Sequence, residues 1–246
     1  MILNLLILLH FFGDFYTQSD YVSKLKKKSS KGLLLHVCIY TLPFILLGML
    51  MVPLKSVFIF IVILFTTHLL IDYFKIRYER NNVISYRIFL VDQASHLIVI
   101  FFLYFTVIQS SINLNSIIRL VENIGVFGDF ERTSKILVIF AIIYKPISYL
   151  IEIIITPLNS KENDGTIKKA EGNQEKNFGS LIGTLERITI VLLGLLNLWS
   201  SIAIVITAKS IARFKQLEDK DFAQKYLIGT LLSLSMTLLL LYIYSI

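Results

Sequence analysis

A single cysteine, Cys38, in 246 residues excludes an internal disulfide framework. Charge is sparse as well: only 17% of residues are charged, against about 25% in a soluble globular domain. A surface facing water on every side is therefore excluded. The short motifs of soluble catalysis are missing too. No G-x-S-x-G, no Walker A loop, no H-E-x-x-H and no C-x-x-C occurs, which leaves little weight for covalent serine or cysteine chemistry. The opening MILNLLILLHFF has neither a basic leader nor a small-residue cleavage site, so no cleaved signal peptide is expected.

What is present is hydrophobicity. Apolar residues make up 55% of the chain and mean hydropathy is +0.72. Apolar runs near the roughly 20 residues needed to cross a bilayer recur along its length. They predict an all-α, polytopic membrane helical bundle of about seven transmembrane helices. The expected spans are 1–18, 33–52, 56–75, 87–108, 135–156, 187–208 and 226–246. The first is interrupted by Gly13 and Asp14 and is expected to be tilted or half-buried.

Net charge is +7, but the excess lies between the apolar runs. It reads as topology-setting charge rather than as a nucleic-acid surface. KLKKKSSK (24–31) carries five lysines in eight residues and predicts a cytoplasmic loop, with the N-terminus outside. Basic KIRYERNNVISYR (75–87) returns to the cytoplasm. Residues 109–134 then lie outside, with INLNSIIRLVENI (112–124) as an interfacial amphipathic helix, and polar residues 157–186 form a cytoplasmic loop. Strict alternation would leave KSIARFKQLEDKDFAQK (209–225) outside, against the positive-inside tendency. Three regions follow: a membrane four-helix unit over 1–110, a middle region over 111–180, and a C-terminal helix pair over 181–246.

The four histidines carry the chemical signal. His10/Asp14, His68/Asp72 and Asp92/His96 are each four residues apart, on one face of a helix. With eight aspartates in 246 residues, one histidine has about a 6.5% chance of such a partner. Three successes among four arise by composition about once in a thousand. His36 stands alone near the start of its helix. The predicted helix directions bring all seven side chains to one depth near the cytoplasmic leaflet. Ionisable groups at membrane depth cost several kcal/mol unless paired.

Three readings compete, in this order: a metal site, a proton or ion pathway, and interhelical hydrogen bonding. Imidazole and carboxylate at i,i+4 are how helical bundles hold divalent metals, zinc first and manganese or iron second. His10, Asp14, His36, His68, Asp72, Asp92 and His96 are the candidate ligands, with Asp14, Asp72 and Asp92 as candidate general bases. Gln18, four residues past Asp14, and Gln93 are candidate donors around that set.

Farther along, Lys145–Pro146 predicts a mid-helix kink, with Glu152 two turns on. Glu186, Arg187, Lys209 and Arg213 flank the sixth predicted helix. Lys209 and Arg213, like charges four apart, suit an anion between them: a lipid phosphate, a substrate phosphate or Glu218. The function these readings favour is hydrolysis of an ester or phosphoester of a lipid-like substrate, in the bacterial cytoplasmic membrane. The alternatives are a metal-ion or proton transporter and a membrane anchor.

LLHFFGDFYTQSD (8–20), HLLIDYFK (68–75) and FLVDQASHL (89–97), with GTLERI (183–188), TAKSIARF (207–214) and YLIGTLLS (226–233), resemble a bacterial membrane family known as domain of unknown function 3307. That resemblance implies membrane localisation and the importance of these motifs, without a reaction. More loosely, LLLHVCIYTL (33–42) and TTHLLIDYF (66–74) resemble predicted membrane-bound metal-dependent hydrolases. This second likeness implies His36, His68 and Asp72 as ligands, joined by His10 and Asp14, although GDFYTQSD departs from the acidic D-x-D of that group.

Overall fold

A computed structural model describes residues 1–81, 85–111, 129–159 and 171–244. Among these residues the chain is helical throughout, without strands. The predicted interfacial helix at 112–124 lies outside them. The chain divides into two compact units, Met1–Val138 and Ile139–Ile246.

In the first unit, α1 (Ile2–Phe11) passes into a π-helical segment, Phe12–Tyr16. The extra residue per turn falls at Gly13 and Asp14, the interruption visible in the sequence, and such π segments cluster at functional sites. The lysine-rich stretch is not a loop. Ser19 caps α2 (Asp20–Lys28) by accepting from the Val22 N–H at 3.3 Å, and Lys26, Lys27 and Lys28 occupy its last turn, where the helix dipole favours cations. Ser29 then caps α3 (Ser30–Met51) through the Gly32 N–H at 3.1 Å. A Cβ at Gly32 would sit 2.4 Å from the Leu25 carbonyl carbon and oxygen, so glycine lets the two backbones meet. α4 (Leu54–Asn81) and α5 (Tyr86–Leu103), the latter ending in a second π segment (Tyr104–Ile108), complete the set.

The second unit starts inside a long helical run. α6 (Phe130–Tyr144) breaks at Lys145 and continues as α7 (Pro146–Asn159), the kink that Pro146 dictates. α8 (Glu171–Leu195) follows, so residues 171–186 are helix where a polar loop was expected. The sixth predicted span, 187–208, does not exist as one helix. α8 ends in a Schellman turn: Leu198 N–H donates to the Leu193 carbonyl at 2.8 Å and Asn197 N–H to the Gly194 carbonyl at 3.0 Å. Asn197 itself takes the left-handed conformation, φ 59°, which asparagine tolerates better than most residues. α9 (Ser201–Ala212) runs back beside α8, and α10 (Lys220–Tyr244) closes the chain.

Among the described residues, five helical segments are long and apolar enough to cross a membrane: Ser30–Met51, Leu54–Glu79, Tyr86–Ile108, Phe130–Thr156 and Lys220–Tyr244. Twelve-residue α9 rises about 18 Å, short of a hydrocarbon core of about 30 Å. Phe58, Ile98, Ile204 and Tyr242 are all more than 65% exposed. Large apolar side chains so exposed suit an acyl-chain environment, where such exposure carries no hydrophobic penalty.

Candidate functional site

Each of the first unit's long helices repeats one layer order along its inward face. Counting from one end, α1 and the π segment that continues it offer Leu6, His10 and Asp14, while α5 offers Ile100, His96 and Asp92. α4 offers Leu64, His68 and Asp72, and α3 offers Phe44, Tyr40 and His36. The apolar members are packed in one core with Phe60 and Leu103. The histidines form the next layer and the aspartates the one beyond. On α3 Tyr40 stands in the histidine layer and His36 in the aspartate layer; one turn beyond is Gly32, where α2 presses in and brings Lys26.

All seven predicted His and Asp side chains come together and are buried. His36 and His68 face each other Nε2 to Nε2 at 3.2 Å. His36 Nε2 is 3.4 Å from Asp14 Oδ1 and 3.3 Å from Asp72 Oδ2. His68 Nε2 is 3.8 Å from Asp72 Oδ2, and His96 Nε2 is 4.0 Å from Asp72 Oδ1 and 3.6 Å from Asp92 Oδ1. Two overlapping triads, Asp14/His36/His68 and His68/Asp72/His96, have donor atoms close enough to share an ion.

Gln93 organises the remainder. Its amide nitrogen donates to Asp14 Oδ2 at 2.9 Å and Asp92 Oδ2 at 3.0 Å. Since carboxylates only accept, the amide oxygen must face His10 Nε2, 3.2 Å away. His10 therefore carries its proton on Nε2, and its Nδ1 accepts from the Tyr40 hydroxyl at 3.0 Å. Both ring nitrogens of His10 are thus engaged by Tyr40 and Gln93. The Tyr40 ring also stacks on His68, centroids 3.7 Å apart.

Sequence reasoning missed three members. Lys26 reaches Asp72 Oδ2 at 3.2 Å and Lys75 reaches Asp92 Oδ2 at 2.7 Å. Tyr40 is the third. Lys75 follows Asp72 by three residues and Tyr40 follows His36 by four, so both shared a face with a singled-out residue. Lys26 was hidden in a run read as topology charge. Gln18 joins through Lys26, whose Nζ is 3.5 Å from its Oε1.

The donor set suits a divalent cation. Tetrahedral ligands bound at 2.0–2.1 Å stand about 3.3 Å apart, which is the spacing from His36 Nε2 to His68, Asp14 and Asp72. Three carboxylates face two ammonium groups, so with neutral imidazoles one negative charge is left uncompensated in a buried place. Among the described residues, His36 Nδ1, His68 Nδ1, Asp92 Oδ1 and His96 Nε2 are buried atoms without a hydrogen-bond partner.

The other predicted polar residues gather in the second unit. The buried Arg187 guanidinium donates to the Ile143 carbonyl beside the kink (2.7 Å), to Ser233 (3.3 Å), to Thr184 (3.0 Å) and to Ser148. Lys209 binds Glu186 at 2.5 Å and Thr230 at 3.0 Å. Arg213 instead lies over the Phe222 ring and bonds Gln216. Arg187 and Lys209 spend their donors inside the unit. They clamp the α8–α9 hairpin to its neighbours.

Apolar spanning helices around a buried polar layer define the class: a multi-pass helical membrane protein. Residues 2–124 match the family described as Protein of unknown function (DUF3307), and the chain belongs to that family. No curated protein and no solved structure matches significantly.

Proposed function

We propose that the chain is a membrane-embedded, metal-dependent hydrolase acting on an ester or phosphoester of a lipid-like substrate. The observation that carries this reading is the cluster at His36 Nε2. Three donor atoms stand 3.2–3.4 Å from it, in a buried site. His36 and His68 with Asp14 and Asp72 would hold the cation, zinc first among candidates and manganese or iron next. When bound, a divalent cation polarises an ester or phosphoester oxygen and makes water acidic near neutral pH.

The chain's own residues supply the rest. Asp92 keeps Oδ2 on Lys75 and Gln93 while Oδ1, beside His96, is free to take a proton from attacking water. Lys26 and Lys75 offset charge that builds on the leaving oxygen. His10, Gln93 and Tyr40 hold the aspartates and His68 in place.

Orientation follows from charge. If α2 is cytoplasmic, α3, α4 and α5 alternate, the α6–α7 span returns inward, and the α8–α9 hairpin enters and leaves from the cytoplasm. Lys209, Arg213 and Lys215 then lie inside, and the conflict with the positive-inside tendency disappears. The N-terminus would face outward and the site inward, in the bacterial cytoplasmic membrane.

A transporter would need polar residues continuing past the histidines. Tyr40, Phe44, Phe60, Leu64, Ile100 and Leu103 close that end instead, which favours the one-sided pocket of an enzyme.

The test is elemental mass spectrometry of detergent-purified protein, followed by a screen of lipid esters and phosphoesters. Near-stoichiometric zinc, manganese or iron in wild type, lost in His68→Ala/Asp72→Ala, is the expected result. A folded wild type without metal would sink the reading.

A further inference from the structure

One large cavity opens beside the buried site, and nothing above uses it. Its volume is about 950 Å³, between the end of α2, the start of α3 and the last turns of α4. Lys26, Lys27, Lys28 and Arg77 line it, with Glu79 as the acidic member. Glu79 is taken by Lys27 at 3.4 Å. The remaining charge in the cavity is cationic.

Three further features point to an anion with an apolar tail. The first turn of α3, capped by Ser29 and including Ser30, forms part of the wall and adds the positive end of a 22-residue helix. Leu33, Tyr73 and Ile76 supply an apolar side. The size suits a headgroup with its glycerol rather than a bare ion. Lys26 joins cavity to site: buried, its ammonium group is 3.2 Å from Asp72 Oδ2 while its side chain lines the cavity.

We infer that this cavity binds a phosphate group presented on an anionic lipid headgroup. Arg77 and Lys28 engage its oxygens at the mouth, and Lys26 holds the end nearest Asp72. Basic pockets at the membrane surface recognise phosphorylated headgroups in this way, and guanidinium geometry matches phosphate oxygens. That the headgroup is also the substrate rests on the hydrolase reading. The binding itself does not.

The experiment is native mass spectrometry of the full chain in detergent with dioleoyl phosphatidate or dioleoyl phosphatidylcholine, with and without millimolar inorganic phosphate. Wild type is compared with Lys28→Gln/Arg77→Gln and with His68→Ala/Asp72→Ala. Lys28 and Arg77 are exposed, so the first variant keeps its fold, verified by circular dichroism. Wild type is expected to prefer phosphatidate, and Lys28→Gln/Arg77→Gln to lose that preference by about tenfold or more.

Phosphatidate retained against inorganic phosphate identifies a lipid headgroup. Displacement supports the phosphate site but assigns it to a soluble phosphate. No preference in wild type, or an undiminished one in the folded Lys28→Gln/Arg77→Gln variant, overturns the inference. A metal-free wild type that still prefers phosphatidate removes the hydrolase reading and leaves this site standing.

Discussion

Gln93 shows how one neutral side chain orders a charged site. It joins Asp14, Asp92 and His10, and Gln93→Leu would strand three buried polar groups at once. Each unsatisfied group costs about 1–3 kcal/mol, so a loss of about 3 kcal/mol or more is expected in thermal unfolding monitored by circular dichroism. A second residue-scale prediction separates ligands from supports. His36→Ala and His68→Ala should lose bound metal, whereas His10→Ala should keep most of it while unfolding at lower temperature. Metal loss in His10→Ala equal to that in His36→Ala would return His10 to the ligand set. The i,i+4 pairs were legible because helix geometry puts such residues on one face. The distinct role of His10 was not, because it depends on Gln93, 83 residues away.

At the scale of elements, two small backbone features decide where polar groups end up. Gly32 lets α2 lie against α3 and carry Lys26 to Asp72. Gly32→Val would force the helices apart, and the expected sign is loss of protection of Lys26 from amine-reactive labelling, with lowered thermal stability. Asn197 allows the chain to turn back between α8 and α9. Its left-handed conformation costs a β-branched residue roughly 1–2 kcal/mol more. Asn197→Val should therefore lower the unfolding temperature and Asn197→Gly should leave it nearly unchanged. The turn was missed because Asn197 sits in an apolar run whose composition satisfies a spanning helix. A Schellman turn depends on backbone bonds that composition does not encode.

For the whole molecule, the hairpin changes topology. On a Cys38→Ser background, Lys215→Cys is expected to react with membrane-impermeant maleimide in inside-out vesicles and not in intact spheroplasts. The opposite pattern would restore an outward loop and an unbroken sixth span. Ligand linkage supplies another whole-molecule expectation. A cation bound only by the folded state stabilises by about 2.7 kcal/mol at a hundredfold excess over its Kd. Chelator treatment should then lower the melting temperature of wild type but not of His68→Ala/Asp72→Ala.

The sequence by itself determined the helical class, the spanning runs at 33–52, 56–75 and 87–108, and the convergence of four histidines and three aspartates, because hydropathy and the 3.6-residue period are local properties. Only the tertiary structure decided that the lysine run is a helix delivering Lys26 to Asp72. It alone assigned both ring nitrogens of His10, and turned one predicted span into a hairpin clamped by Lys209 on Glu186. These outcomes rest on contacts between residues distant in sequence, and on backbone geometry at Gly32 and Asn197. A pattern of apolar and polar residues does not specify them.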